Sequence, residues 1–165
     1  ATGTPYKTLV ETRILRLGMA TATVAGWGPG RAAPPLSRAG FRSFYWNFGA
    51  LAGAGAARGS VTDALRFLQA SAKACQTVGK LAAANCRPQQ TTGVRVSEGA
   101  AQGLGWLRLP SPTGDVVWHN GGTGGFSSFL GFSARTGEGL VVLANVADLY
   151  GELTTLGLEF LVTPQ

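Results

Sequence analysis

The chain has 165 residues, 45% hydrophobic and only 13% charged, which excludes intrinsic disorder and allows one domain with a real core. Its net charge of +6 raises nucleic acid as a ligand. The arginines that carry most of it (Arg13, Arg31, Arg58, Arg95 and Arg135 among them) are scattered singly, which suits a solvated surface and excludes a phosphate-tracking stripe. No apolar run approaches the roughly 20 residues of a membrane span. Without an initiator Met or a signal peptide, the expectation is a chain that starts after processing or inside a larger protein.

In chain order, the first element predicted is a helix over residues 5–17. Thr4 would cap it with Pro5 at the first helical position, and Gly18 would stop it. Tyr6, Leu9, Val10, Ile14 and Leu17 form an apolar stripe that needs a cover. Residues 20–59 are rich in Gly, Pro and Ala, with an aromatic knot at Phe41, Phe44, Tyr45, Trp46 and Phe48. They read as a long irregular connection, of the kind that forms functional loops or wraps over a partner. Ser60-Val61-Thr62-Asp63 has the form of a capping box and opens a helix through Ala74, with Val61, Ala64, Leu65, Leu68 and Ala72 on its apolar face.

Cys75 and Cys86 flank a short Ala-rich stretch and form either a disulfide that closes a small loop or two buried free thiols. A polar loop follows, then four predicted strands: 105–109, ended by residues 110–114, then 115–119, 126–134 and 139–145. Arg135-Thr136-Gly137-Glu138 reads as the hairpin turn between the last two. Leu140-Val141-Val142-Leu143 suggests a strand covered on both faces. Residues 149–162 read as a terminal helix with Leu149, Leu153, Leu156 and Phe160 in register and Pro164 closing it. The plan is α+β: an antiparallel sheet of about four strands, a packed C-terminal helix and two further helices.

The chemistry concentrates in His119-Asn120-Gly121-Gly122-Thr123-Gly124-Gly125, where one titratable side chain at a strand end precedes four glycines in five positions. Glycines there let a ligand approach the backbone and expose amide N–H groups. Acyl transfer needs such N–H groups aimed at an oxyanion, with a nearby group that handles protons or holds substrate, and imidazole is the side chain suited to work near neutral pH. A tight glycine turn with a structural histidine is the other reading of the same spacing.

This segment resembles the Lys-Thr-Gly strand motif of serine β-lactamases and penicillin-binding proteins, in the His-Asn-Gly form of class C-like esterases and peptidases. The resemblance places His119 at the Lys position, Asn120 at the Thr position and Gly121 at the Gly. It makes Gly122 the residue whose N–H forms half the oxyanion hole, and it puts Asn120, Gly121 and Thr123 against substrate. It extends along the chain through Thr2-Gly3-Thr4-Pro5-Tyr6, Leu17-Gly18-Met19, the stretch from Ala52 to Asp63, Arg66-Phe67-Leu68, Gly103-Leu104-Gly105-Trp106 and Leu143-Ala144-Asn145.

Departures are equally specific. Arg16 stands where a Pro-containing step is usual, Gly59 where Ser is usual, and Ser-x-x-Lys is absent. Thr4, Ala70 and Thr77 precede Lys7, Lys73 and Lys80 by three residues, and no Gly-x-Ser-x-Gly occurs. Tyr45-Trp46-Asn47 fits the family's Tyr-x-Asn in letters but falls after Leu17-Gly18-Met19 instead of before it, so it reads as aromatic packing.

The resemblance therefore implies a single domain over residues 1–165, the C-terminal part of a partial β-lactamase-like fold without its nucleophile-bearing segment. The parent would be a periplasmic or secreted hydrolase of a small-molecule or peptide substrate (β-lactam, D-Ala peptide or ester), working through an acyl-enzyme with no cofactor and no metal. This chain alone would be inactive. The alternative is a non-catalytic module that forms a homo-oligomer or pairs with the missing N-terminal half, through the first helix and the aromatic knot.

Overall fold

The structure is a computed structural model that describes residues 3–24, 26, 31–90, 92–97, 99–112 and 114–163. Thr2, Thr113 and Pro164, named above, lie outside the described residues. Six strands form one antiparallel sheet in sequential order: β1 (Arg95–Ser97), β2 (Ala100–Gln102), β3 (Leu107–Leu109), β4 (Val116–Thr123), β5 (Phe126–Ser133) and β6 (Gly139–Ala144). The helices are α1 (Tyr6–Arg13), α2 (Val61–Ala74), α3 (Lys80–Cys86) and α4 (Tyr150–Val162).

The sheet thus has two strands more than the expected four. β1 and β2 are three residues each, too short to show a period, and β2 owes its place to pairing with β3. Helix α3 replaces part of the expected loop, held by a disulfide between Cys75 and Cys86 that closes an 11-residue separation. Closing this loop removes unfolded-state entropy worth about 3 kcal/mol. The double variant Cys75→Ser, Cys86→Ser is expected to lower the urea midpoint accordingly with an unchanged far-ultraviolet spectrum.

Helix α1 is shorter than expected. Pro5 occupies the cap position in place of Thr4, and after Arg13 the chain tightens into a 3-10 turn over Leu15–Leu17. Gly18 ends it with φ of 90°, a left-handed conformation that favours glycine, and its carbonyl accepts from Arg66 Nη1 on α2. The apolar stripe of α1 is only half covered, and none of its residues is buried.

Helix α2 starts where the capping box places it. Asp63 N–H donates to Ser60 Oγ at 3.2 Å, and Ser60 N–H donates back to Asp63 Oδ2 at 2.9 Å. Thr21 adds its own N–H and hydroxyl to the same buried carboxylate, tying the 20s segment to the helix. Burial alone would raise the Asp63 pKa, but the hydrogen bonds from Thr21 and Ser60 outweigh it and hold the group down to about 2. A depressed folded-state pKa stabilises above the unfolded value and is lost as protons bind. The contribution is therefore complete above about pH 4 and disappears towards pH 2. Asp63→Asn is expected to flatten the acid-unfolding profile in that window, measured by circular dichroism.

The core lies on both faces of β4 and β5. On one face α2 covers Val117, Phe132 and Val141 with Leu68, while Phe67 stacks on Trp106. On the other, α4 covers Val116, Trp118 and Phe129 with Leu153, Leu158 and Leu161. The α4 register differs from expectation: Leu153, Gly157 and Leu161 face inward, whereas Leu156 and Phe160 are exposed. Gly157 is inward because the ring of Phe129 occupies the space where its Cβ would stand.

Candidate active-site strand

Residues 119–123 do not form a loop after a strand. They continue β4, paired with β5 from Val116↔Ser133 to Thr123↔Phe126. Pairing with β3 stops at Leu107↔Trp118. Beyond Trp118, β4 is therefore hydrogen-bonded on one side only among the described residues, and its other edge is open.

The direction of the open groups follows from antiparallel alternation. Ala134 N–H donates to the directly opposite Asp115 carbonyl at 2.8 Å, which makes this a hydrogen-bonded pair. Odd-numbered residues of β4 then exchange bonds with β5, and even-numbered ones direct N–H and C=O the other way. Asn120 and Gly122 thus present their backbone groups to the open edge. The His119 ring, exposed, approaches the Asn120 carbonyl through Nδ1 and so leans over the same edge.

Side chains alternate about the sheet. His119, Gly121 and Thr123 lie on the α2 face, beside Ser128 and Phe126 of β5, whereas Asn120 and Gly122 lie on the α4 face. Asn120 does not join His119: its Nδ2 donates to Thr154 Oγ1 at 2.9 Å, and that hydroxyl donates to the Tyr150 carbonyl at 2.6 Å. The Asn120 side chain thus anchors the strand to α4, away from the face that carries His119. Only its backbone reaches the open edge.

The glycines divide into two kinds of constraint. A Cβ on Gly122 would come within 2.6 Å of the Tyr150 ring, and one on Gly121 within 3.0 Å of Ser128 Oγ. These two keep the strand thin. Gly124 and Gly125 form the β4–β5 turn, and neither has a left-handed φ. They are required by close approach: Pro35 fills the space beside Gly125, and Trp46 with the Phe44 carbonyl fills that beside Gly124. Ser43 Oγ donates to the Gly124 carbonyl, and Tyr45 stacks on Phe126 at 5.8 Å. Arg58 sits 5.6 Å over the Tyr45 ring and donates to the Trp46 carbonyl. The aromatic knot is thus a strap that clamps the turn, as its reading as packing anticipated. Tyr150, Thr154 and the strap residues Pro35, Ser43 and Trp46 carry no sequence signal that links them to the motif.

Beyond Trp118 the strand thus leaves backbone groups of Asn120 and Gly122 exposed along one edge, with the His119 ring at its rim. Comparison with known proteins agrees on the lineage. The Beta-lactamase family model matches residues 1–156.

This chain belongs to the beta-lactamase family.

Among solved structures it is similar to a beta-lactamase/D-alanine carboxypeptidase from Pseudomonas syringae, at 21% identity and a TM-score of 0.79, over 97% of this chain and 54% of that one. A class C beta-lactamase superposes with a TM-score of 0.81 at 19% identity, over 99% of this chain and 53% of that one. A D-stereospecific amidohydrolase from Streptomyces shares 25% identity with a TM-score of 0.70, over 88% of this chain and 45% of that one. No curated protein matches the sequence. The chain spans about half the length of the first two structures, and the fold it shares with them is the antiparallel sheet with its flanking helices.

Proposed function

We propose that this chain supplies one wall of an acyl-transfer site for an amide or ester substrate, a β-lactam, a D-Ala peptide or an ester. The carrying observation is the open edge of β4 beyond Trp118, where Gly122 N–H points outward beside His119. When a nucleophile attacks the substrate carbonyl, Gly122 N–H stabilises the developing oxyanion, and His119 holds substrate or handles a proton. Gly121 and Thr123 flank the substrate on the α2 face. The nucleophile and the second oxyanion donor come from residues other than these, because no Ser-x-x-Lys occurs in the sequence.

On this reading the chain alone performs no covalent step. Nitrocefin and p-nitrophenyl acetate are expected to be turned over at the buffer rate. Turnover that survives purification and vanishes in His119→Ala would contradict it.

A second reading, a chain that associates with itself or with another chain and does no chemistry, draws on its uncovered apolar surface. Phe41 and Phe44 of the strap are 74% and 69% exposed, and α1 is half covered.

A further inference from the structure

Beyond Trp118, β4 is bonded to β5, and two of its residues there are glycines, which lose more backbone freedom on ordering than any other residue. An oxyanion donor must nevertheless be held in direction before the charge develops, because its worth lies in needing no reorganisation at the moment of reaction. The restraint on Gly122 comes from its neighbours on the α4 face.

Two residues of α4 meet two residues of β4. Thr154 Oγ1 accepts from Asn120 Nδ2 at 2.9 Å, and the Tyr150 ring covers Gly122, within 2.6 Å of where a Cβ would stand. The spacings match: strand positions two apart are separated by about 6–7 Å, and helix positions four apart rise about 6 Å. A hydroxyl has one proton, and Thr154 gives it to the Tyr150 carbonyl at 2.6 Å. Toward Asn120 its oxygen can then only accept, which fixes the amide with Nδ2 toward the helix. The start of α4 is itself tied to the strand pair. Ser127, buried opposite Gly122 on β5, donates to the Val146 carbonyl at 2.8 Å and accepts from Leu149 N–H at 2.9 Å. Strand and helix thus close a frame around Gly122, through Ser127 to the helix start and through Thr154 back to Asn120.

We propose that Thr154 is the positioning residue of this wall: through Asn120 it sets the direction in which Gly122 presents its N–H. The role rests on the acyl-transfer reading. Asn120 then acts otherwise than its motif implies, since its side chain is engaged by the helix and only its backbone meets substrate. The frame needs a hydroxyl at position 154, which serine supplies as well as threonine. Valine keeps the shape but leaves Asn120 Nδ2 without this partner.

Nuclear magnetic resonance of the isotope-labelled chain tests it, free and titrated with an N-acyl-D-Ala-D-Ala peptide. The unsubstituted chain is expected to give Gly122 N–H an order parameter of about 0.85, falling toward the mobile range below about 0.6 in Thr154→Val. Peptide affinity read at Gly122 should weaken roughly fivefold in that variant, the cost of one ordered hydrogen bond. Thr154→Ser should restore both readings. Thr155→Val serves as the control, because the Thr155 hydroxyl donates to the Gly151 carbonyl at 3.2 Å on the exposed side of the same helix. It should leave both readings unchanged. A Thr154→Val chain with a rigid Gly122 and undiminished affinity would overturn the proposal, as would equal losses in Thr155→Val. An unsubstituted chain whose Gly122 ignores the peptide would overturn the acyl-transfer reading instead, and the order parameters alone would then decide whether Thr154 holds the strand.

Discussion

Phe132→Ala is expected to remove about 3–5 kcal/mol of stability, a large share of the 5–15 kcal/mol typical of a domain. Phe132 is 2% exposed, lies between Val117 and Val141 on the α2 face, and meets Trp106 edge-on at 5.9 Å between centroids. Trp106 in turn stacks on Phe67, so deleting the ring uncouples α2 from β3 as well as leaving a cavity. Chemical denaturation is the measurement: the midpoint should fall steeply with little change in slope. A loss below about 1 kcal/mol would mean that the α2 face collapses around the vacancy, which close packing does not allow.

The second large effect is expected at Gly157→Ala on α4. In an exposed helix interior this substitution stabilises by roughly 1 kcal/mol. Here the new Cβ would overlap three atoms of the Phe129 ring, and that ring is fully buried between α4 and the sheet, stacked on Trp118. Overpacking of this kind costs about 1–3 kcal/mol, and more where the neighbour cannot move. Phe129 cannot turn away, because Gly131 and Trp118 enclose it. A net loss of about 2 kcal/mol is expected, or some 4–8 °C in melting temperature for a chain of this size. A gain in melting temperature would show that α4 does not seat Gly157 against Phe129.

The two variants probe opposite faces of the sheet, and their contrast shows what sequence reading reaches. Helix α2 was legible because Ser60 and Asp63 form a reciprocal cap. Of its expected apolar face, however, only Ala64, Leu68 and Ala72 pack on the core, with Phe67 beside them, while Val61 and Leu65 are exposed. Strands β5 and β6 were legible from their length and from the polar turn between them. Helix α4 was legible as an element but not in register, since Leu153, Leu156, Leu158, Phe160 and Leu161 surround the helix and leave no single apolar stripe. Its inner line is set by a glycine, which carries no hydropathy signal. Strands β1 and β2 exist through pairing, not propensity, and Cys75 and Cys86 fix a bridge only once α2 and α3 bring them together.

The candidate site was legible as a motif and not as a geometry. The sequence places His119 and Gly122 three residues apart. It does not disclose that β3 stops pairing at Trp118, nor that Asn120 turns to Thr154 while His119 faces the other way. It also groups four glycines that do different work, two thinning the strand and two receiving Pro35 and Trp46. The turn glycines therefore bear on the site only through the strap. The hydrolytic lineage rests on the whole match over residues 1–156, and the chemistry assigned to this chain on the open edge alone.

That edge is tested most directly by amide hydrogen exchange at single-residue resolution, with and without an N-acyl-D-Ala-D-Ala peptide. In the free chain Gly121 N–H, bonded across to β5, should exchange slowly, and Gly122 N–H should exchange fast. Added peptide should slow Gly122 and leave Gly121 unchanged. Slow exchange of Gly122 in the free chain, or no response to the peptide, would contradict the assignment of this strand as the wall of an acyl-transfer site.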